Sequence, residues 1–221
     1  MRGGQSSTVR YIIDGKHVVI EAPTNFGSQY YNYKKTFSTV LLILVNANYK
    51  FIALDVGGYG KSSDGGIFAN SVLGRRLEAG TLDVSKDREL PGSEVTTSHV
   101  IVADEAFPLK TYLLRPYPGA ELRHDRRIFN YRLIRAKRTE DNTFGILAKK
   151  FRVYQRRLRA KTQNTDKIIL STCILHNFIC DLHQDPINVT AGTLIPKEIV
   201  TNVLENLSHQ GGGGTFDEGE I

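Results

Sequence analysis

Residues 36–56 read TFSTVLLILVNANYKFIALDV. The apolar, β-branched run from Thr36 to Asn46 predicts a buried strand, because such side chains pack well on a pleated surface. The turn formers Asn46-Ala47-Asn48 follow it, and Phe51 to Val56 predicts the next strand. Two apolar runs separated by so short a turn favour an antiparallel hairpin.

The segments on either side of this hairpin add strands and helices. Strands are predicted at Tyr11 to Ile20 and His99 to Ala103, and Gly57 to Gly66 forms a glycine-rich turn. Helical spacing of apolar residues covers Phe68 to Leu77, with Gly80 as a stop signal, then Arg126 to Lys161 and Leu170 to Leu182. Residues 83–98 are polar and predict a surface loop. This order gives an α/β fold with a mixed sheet flanked by helices.

Composition excludes several classes of protein. With 221 residues, of which 40% are hydrophobic, the chain can bury the core of one large domain. No apolar stretch approaches about 18 residues, so no membrane partner is expected. Gly57 to Gly60 lacks the Gly-Lys-Ser/Thr of a phosphate loop, so no small-molecule cofactor is expected. Two cysteines without a signal peptide favour a reducing compartment.

Positive charge is concentrated in one segment. Residues 115–161 hold 15 Lys and Arg against 4 Asp and Glu, whereas the remainder holds 14 basic and 19 acidic residues. Such a local excess predicts a polyanionic partner, here DNA, although a solvated helix surface is the alternative. The residues expected to contact DNA are Arg135, Lys137, Arg138, Arg152, Arg156 and Arg157.

Acidic residues stand at positions that suit a metal-dependent nuclease. Asp14 interrupts the first strand, Asp64 lies in the glycine-rich turn, Asp104 follows the last strand, and Glu140-Asp141 lies in the basic helical segment. Converging carboxylates form the oxygen-donor sites that Mg²⁺ or Mn²⁺ prefers. A single aspartate at a strand end is more often a turn former. Asp55 competes as a ligand and is interpreted as structural or peripheral.

Six short motifs carry a family resemblance, which covers about residues 11–180 in the family order. They are Asp14-Gly15-Lys16-His17, Tyr31-Asn32-Tyr33-Lys34-Lys35, Asp64-Gly65-Gly66, Ala103-Asp104-Glu105-Ala106-Phe107-Pro108-Leu109, Asn142-Thr143-Phe144-Gly145-Ile146-Leu147 and Leu175-His176-Asn177-Phe178-Ile179. Together they resemble the nuclease domain of Harbinger-type transposases, which belongs to the ribonuclease H-like DDE superfamily.

The resemblance implies a DNA endonuclease that hydrolyses phosphodiester bonds with two Mg²⁺ or Mn²⁺ ions. It implies Asp14, Asp64 and Asp104 as catalytic, metal-binding residues, with the acidic residue before Asn142 as the fourth. The register favours Asp141, with Glu140 as the alternative. Because the family has Glu at this position, a shorter Asp raises a rival hypothesis, a catalytically degenerate remnant that binds DNA or protein.

The resemblance also implies a domain organisation, partners and a location. Residues 1–10 are expected to form a flexible N-terminus, 11–182 the DDE-type endonuclease domain, 183–207 a C-terminal extension and 208–221 a disordered tail. The chain starts just before the first catalytic strand, so recognition of particular DNA ends would require a separate DNA-binding partner protein or a further segment. A DNA substrate implies the nucleus.

Overall fold

The computed structural model of the protein describes residues 9–24, 27–82, 88–89, 96–97 and 100–184. The strands are β1 (Val9–Val19), β2 (Ser38–Asn46), β3 (Phe51–Tyr59), β4 (Arg88–Glu89), β5 (Thr96–Thr97), β6 (Val100–Val102) and β7 (Leu113–Leu114). The helices are α1 (Gly27–Tyr30), α2 (Asp64–Asn70), α3 (Val72–Glu78), α4 (His124–Lys150) and α5 (Thr162–Gln184), with a 3₁₀ helix at Arg152–Gln155.

Five strands form one mixed sheet in the order β3-β2-β1-β6-β7. The pairs β1–β2 and β2–β3 are antiparallel, whereas β6 lies parallel to β1 and β7 parallel to β6. The predicted hairpin and the predicted mixed sheet flanked by helices are therefore confirmed. The architecture is that of a ribonuclease H-like α/β domain.

Side chains of the sheet divide into two cores. One face carries Ile12, Val18 and Ile43 and packs with Phe144 of α4 and Ile169 of α5. The other carries Ile13 and Leu44 and packs with α2 and α3 through Phe68, Leu73 and Leu77. Because helices cover both faces, β2 is buried from Ser38 to Val45, which explains its uninterrupted apolar sequence.

The helix predicted from Phe68 to Leu77 is two helices joined at Ser71. Ser71 has extended backbone angles, and its hydroxyl donates to the carbonyl of Phe68 (2.7 Å) and accepts from the amide of Gly74 (2.8 Å). The serine thus satisfies groups at the end of α2 and at the start of α3, which separates the helices. Gly80 has a positive φ of 64° just beyond α3, as its role as a stop predicts.

The helical pattern predicted from Arg126 to Lys161 also ends early, since α4 stops at Lys150. Beyond the 3₁₀ helix, the amide of Leu158 donates to Val19 (3.0 Å), and its carbonyl accepts from Glu21 (2.9 Å). Residues around Leu158 therefore lie along the end of β1 and satisfy backbone groups that no strand of the sheet reaches there. A buried leucine side chain anchors this segment to the core.

Two residues of α5 hold the start of β3. The buried side chain of Asn177 accepts from the amide of Phe51 (2.9 Å) and donates to its carbonyl (2.7 Å). His176 Nε2 donates to the carbonyl of Tyr49 (2.7 Å), a residue with a positive φ of 61°. The Leu175-His176-Asn177 motif therefore has a structural role in joining α5 to the hairpin.

Several expectations fall on residues beyond the described ranges. The disordered tail (208–221) and residues 185–207 of the C-terminal extension lie outside them, as do residues 1–8. Val9 and Arg10, expected in a flexible N-terminus, begin β1. Within the loop expected at 83–98, the described residues form the short antiparallel pair β4–β5. No helix in the described part of the chain combines the length and apolarity needed to span a bilayer.

Candidate metal centre

The register of the two parallel strands brings Asp14 and Asp104 together. Ile12 of β1 lies beside Val102, the last residue of β6. Asp14 comes two residues after Ile12, and Asp104 comes two residues after Val102. Because β6 ends there while β1 continues, the edge of β1 beside Asp14 is not covered by β6. Carboxylate oxygens of Asp14, Asp64 and Asp104 all lie within 4.8 Å of one another, and all three side chains are partly buried. We call these three residues the acidic cluster.

Asp64 reaches the cluster from the first turn of α2, not from a glycine-rich turn as the sequence predicted. Ser63 caps this helix by accepting from the amide of Gly66 (3.2 Å). A side-chain carbon at Gly15 would overlap the Asp64 carboxylate, and one at Gly65 would overlap the carbonyl of Ala106. The two glycines therefore permit the close approach that puts Asp64 beside β1 and beside the loop after β6.

Asp104 is held by the loop that follows it. Its Oδ1 accepts from the amide of Ala106 (2.9 Å), an arrangement typical of an aspartate turn. Arg115 donates from Nη1 to the carbonyls of Phe107 (3.1 Å) and Glu105 (3.3 Å), and Phe107 is fully buried. These bonds fix the loop on the sheet, so the second oxygen of Asp104 faces the cluster.

Lys137 of α4 lies within this group rather than on the protein surface. Its Nζ is 3.3 Å from Oδ1 of Asp14 and 3.3 Å from Oδ2 of Asp104. Although burial acts to lower it, the charges of Asp14 and Asp104, with the hydrogen bonds to both, raise the pKa of Lys137. Burial and the charges of Asp14 and Asp104 raise the pKa of Asp64 to about 6, so the ammonium only partly offsets the repulsion.

Glu140 is the acidic residue of α4 that reaches the cluster. Its side chain is buried, and one carboxyl oxygen, Oε1, has no hydrogen-bond partner among the described residues. Burial, the hydrogen bond to Asp14 and the charges of Asp14 and Asp141 raise the pKa of Glu140 far above its usual range. Burial beside Asp14 therefore favours the protonated form of Glu140, which donates to Asp14, while Oε1 has no partner among the described residues.

Asp141, which the family register favoured, is exposed and lies outside the acidic cluster. The reason is the helix period. Leu133, Lys137, Glu140, Phe144 and Leu147 succeed one another at spacings of four and three residues, which makes them one stripe facing the sheet. Asp141 falls outside this stripe. The same spacing was visible in the sequence and could have indicated both Glu140 and Lys137.

Asp55 belongs to a separate acidic pair. It lies on β3 and faces Asp166 of α5, and neither is in the acidic cluster. Burial and the charge of Asp55 raise the pKa of Asp166 to about 6, and burial also raises that of Asp55. The interpretation of Asp55 as peripheral to the cluster agrees with this placement.

The other expected DNA contacts are on the surface. Exposed arginines at the expected positions are Arg135, Arg138, Arg152, Arg156 and Arg157. Arg152 and Arg156 line a surface cavity of about 630 Å³ with Lys149. The backbone pairing of Leu158 with Val19 puts this segment five residues along β1 from Asp14, a distance of about 17 Å.

The donor set fits a hard divalent cation. Three carboxylates from three elements face one another, and the unpartnered oxygen of buried Glu140 provides a further donor beside Asp14. All are oxygen ligands, the type that Mg²⁺ and Mn²⁺ prefer over softer metals. The residues that could hold such ions are Asp14, Asp64 and Asp104, with Glu140 adjoining them.

A ribonuclease H-like sheet with acidic residues on its first strand and after its fourth resembles a DDE nuclease. The chain belongs to the DDE superfamily endonuclease family, whose model matches residues 13–177. It is also similar to Protein ALP1-like of Arabidopsis thaliana, with 28% identity over 180 residues, or 80% of this chain. The chain spans 44% of that relative's length. No solved structure matches the chain significantly.

Proposed function

We propose that the protein is a divalent-metal-dependent DNA endonuclease of the transposase-derived, Harbinger-like kind. The observation that carries this proposal is the convergence of Asp14, Asp64 and Asp104 within 4.8 Å from a strand, a helix and a loop. Each residue comes from a different part of the chain. Such a group of like charges is costly unless a cation is present.

The residues would divide the work as follows. Two bound Mg²⁺ or Mn²⁺ ions would supply charge stabilisation for the attacking and leaving oxygens of a phosphodiester and lower the pKa of water. Asp14, Asp64 and Asp104 would hold them. Glu140 would release its proton once the negative charge beside it is neutralised, and its free oxygen would add a fourth donor. Lys137 would then exchange its carboxylate partners for the phosphate of the substrate.

Exposed arginines support DNA as the substrate. Arg135 and Arg138 lie on α4 close to Lys137, while Arg152, Arg156 and Arg157 lie near the far end of β1. Cations at both places would hold the phosphate backbone on either side of the cluster, without reading the base sequence. We infer nuclear localisation and a separate DNA-binding partner protein as parts of the same hypothesis.

One observation favours a second candidate, a remnant that keeps the fold without the chemistry. Lys137 neutralises part of the cluster through Asp14 and Asp104, which leaves less unbalanced negative charge to attract a metal ion. The acidic residue at the family position, Asp141, is exposed. A protein of this kind would bind DNA or a protein partner through the same arginines.

Plasmid nicking with Mn²⁺ tests the proposal. The purified protein is expected to nick supercoiled DNA, whereas Asp104→Asn and Glu140→Gln lose at least about 100-fold in rate, as is usual when a positioned charged group is removed. Asp141→Asn, which changes the exposed neighbour of Glu140, is the matched control and is expected to retain activity. Equal nicking by the wild type and Asp104→Asn would disprove the proposal. Salt-dependent DNA binding without nicking would favour the remnant.

A further inference from the structure

One exposed aromatic side chain near the acidic cluster has no part in the proposed chemistry. Tyr33 is 77% exposed, the highest value among the large hydrophobic side chains that the structure describes. Its ring nevertheless has defined neighbours. The ring of His17 meets it edge to face at 5.5 Å between centroids, and Lys34 Nζ lies 5.3 Å from its centroid. Two side chains therefore contact the ring while most of the residue's surface is open to solvent.

The loop that carries Tyr33 is held by a network of hydrogen bonds. The buried side chain of Asn32 accepts from the amides of Lys34 (3.0 Å) and Thr36 (3.1 Å), and its amide donates to Ser38 Oγ (2.8 Å). The same hydroxyl bonds to His17 Nδ1 (2.8 Å), so one network fixes both the loop and the ring that supports Tyr33. An exposed aromatic ring that is held in place loses little conformational entropy when it binds a ligand.

The position of this ring relative to the acidic cluster indicates its ligand. His17 and Gly15 point to the same face of β1, since they are two residues apart on one strand. The Asp64 carboxylate lies over Gly15. His17 is thus about 7 Å along the strand from the site that Asp64 covers. Since the Tyr33 ring lies 5.5 Å from that of His17, we expect a base next to a phosphate at the cluster to reach it, and Lys34 to add a positive charge for the backbone.

We propose that Tyr33 is a stacking platform for an unpaired nucleobase of DNA bound at the acidic cluster. This inference rests on the proposed function for its substrate. An aromatic face stacks with any base, so the platform would recognise unpaired DNA next to the cutting site, not a particular sequence. A fully paired duplex hides its base faces and cannot use the platform.

Binding of flapped and blunt DNA separates this role from general charge attraction. The probes are a duplex with a short single-stranded flap carrying 2-aminopurine and the same duplex without the flap, both in Ca²⁺, a cation that takes oxygen ligands, with gels to check that neither probe is cut. The wild type is expected to bind the flapped probe about tenfold more tightly and to quench the 2-aminopurine, since stacking on one ring supplies a preference of this size. Tyr33→Ala is expected to lose both effects, while Tyr33→Phe retains both.

Two controls keep the test specific. Tyr131→Ala removes another exposed tyrosine, with Arg135 at 5.9 Å from its ring, and is expected to keep the preference. Tyr33→Leu keeps an apolar side chain without a π face and is expected to behave like Tyr33→Ala; circular dichroism checks that each variant is folded. A wild type without preference, or a preference that survives in Tyr33→Ala and Tyr33→Leu, would overturn the platform.

The outcome is distinguishable from the fate of the nuclease proposal. A flap preference that depends on Tyr33, without nicking in Mn²⁺, would support the stacking platform and contradict the nuclease proposal. Nicking without any flap preference would support the nuclease proposal and contradict the stacking platform.

Discussion

Lys137 on α4 holds its ammonium 3.3 Å from a carboxylate oxygen of Asp14 on β1. The same nitrogen is 3.3 Å from Asp104, so one side chain joins the helix, the central strand and the loop after β6. Three carboxylates meet in this place, and the lysine is paired with two of them. Metal binding must therefore compete with an ion pair that the fold already contains.

Replacing Lys137 should lower the stability of the protein in EDTA and increase the stabilisation that Mn²⁺ provides. Lys137→Met keeps the apolar stem and removes the charge, and we expect the free energy of unfolding in EDTA to fall by about 1–2 kcal/mol. The rise in melting temperature with millimolar Mn²⁺ should exceed that of the wild type, because the ion no longer displaces an ammonium. Lys149→Met, on the exposed last turn of α4, is the control. A smaller rise in Lys137→Met than in the wild type would contradict this account.

Gly15 should be essential for the position of Asp64. Gly15→Ala adds a carbon where the Asp64 carboxylate lies, so we expect Mn²⁺ affinity, measured by calorimetry, to fall about 10- to 100-fold. Gly145→Ala is the matched control because, apart from its chain neighbours and its own helix backbone, no atom of the described residues lies within 4 Å of the added carbon. It should leave Mn²⁺ affinity unchanged and stabilise α4 by about 0.5–1 kcal/mol. Equal Mn²⁺ affinity in both variants would show that Asp64 is not held by this contact.

The acidic pair outside the cluster should give the protein a measurable pH dependence. The pKa of Asp166 rises from 3.8 to about 6 on folding, so the folded state binds more protons than the unfolded state between these values. Stability from this group is present below pH 4 and is lost as the pH rises through about 6. Asp166→Asn should therefore exceed the wild type in stability above pH 6, by on the order of 1 kcal/mol, and match it near pH 4.

Urea unfolding at several pH values measures this difference. Asp125→Asn, at an exposed position in the first turn of α4, is the control and should show no such crossover. A constant difference between Asp166→Asn and the wild type at every pH would exclude the pKa of Asp166, raised by burial and by Asp55, as its cause.

The two bonds from Asn177 to Phe51 should make this residue important for stability. Asn177→Ala leaves a buried amide and a buried carbonyl of β3 without partners, and we expect a loss of about 2–3 kcal/mol in the free energy of unfolding. The exposed Asn164, on the first turn of the same helix, provides the control through Asn164→Ala. If both variants lose the same small amount in chemical denaturation, the Asn177 side chain does not hold the hairpin.

Local patterns in the sequence were sufficient for four strands of the sheet, whereas the two-residue strand β7 and several contacts were not predicted. The apolar runs predicted β2, β3 and their hairpin because strand burial is a local property of such runs. The helix predicted from Phe68 was divided because Ser71 bonds to two helix ends, and α4 ended early because Leu158 pairs with β1. The capping by Ser71 is a local effect. The pairing of Leu158 with β1 joins distant segments, which helical spacing cannot reveal.

The acidic residues show the same limit. The positions of Asp14 and Asp104 at apolar runs, and the family resemblance, indicated both residues, whereas their proximity follows from the parallel register of β1 and β6, which the sequence did not predict. The closeness of Asp64 depends on two missing side chains, Gly15 and Gly65, which no periodicity reveals. In α4, alignment with the family motif favoured Asp141 as the metal ligand. The apolar stripe through Phe144 instead contains Glu140 and Lys137, which both face the acidic cluster.

Titration of Mn²⁺, followed by the electron paramagnetic resonance signal of the free ion, tests the acidic cluster most directly. The wild type is expected to remove Mn²⁺ from solution, and Asp104→Asn to bind at least about tenfold more weakly, since it loses one of three charged ligands. Asp166→Asn, which changes a carboxylate outside the cluster, should bind as the wild type does. Absence of Mn²⁺ binding by the wild type, or equal binding by Asp104→Asn, would contradict a metal centre at Asp14, Asp64 and Asp104.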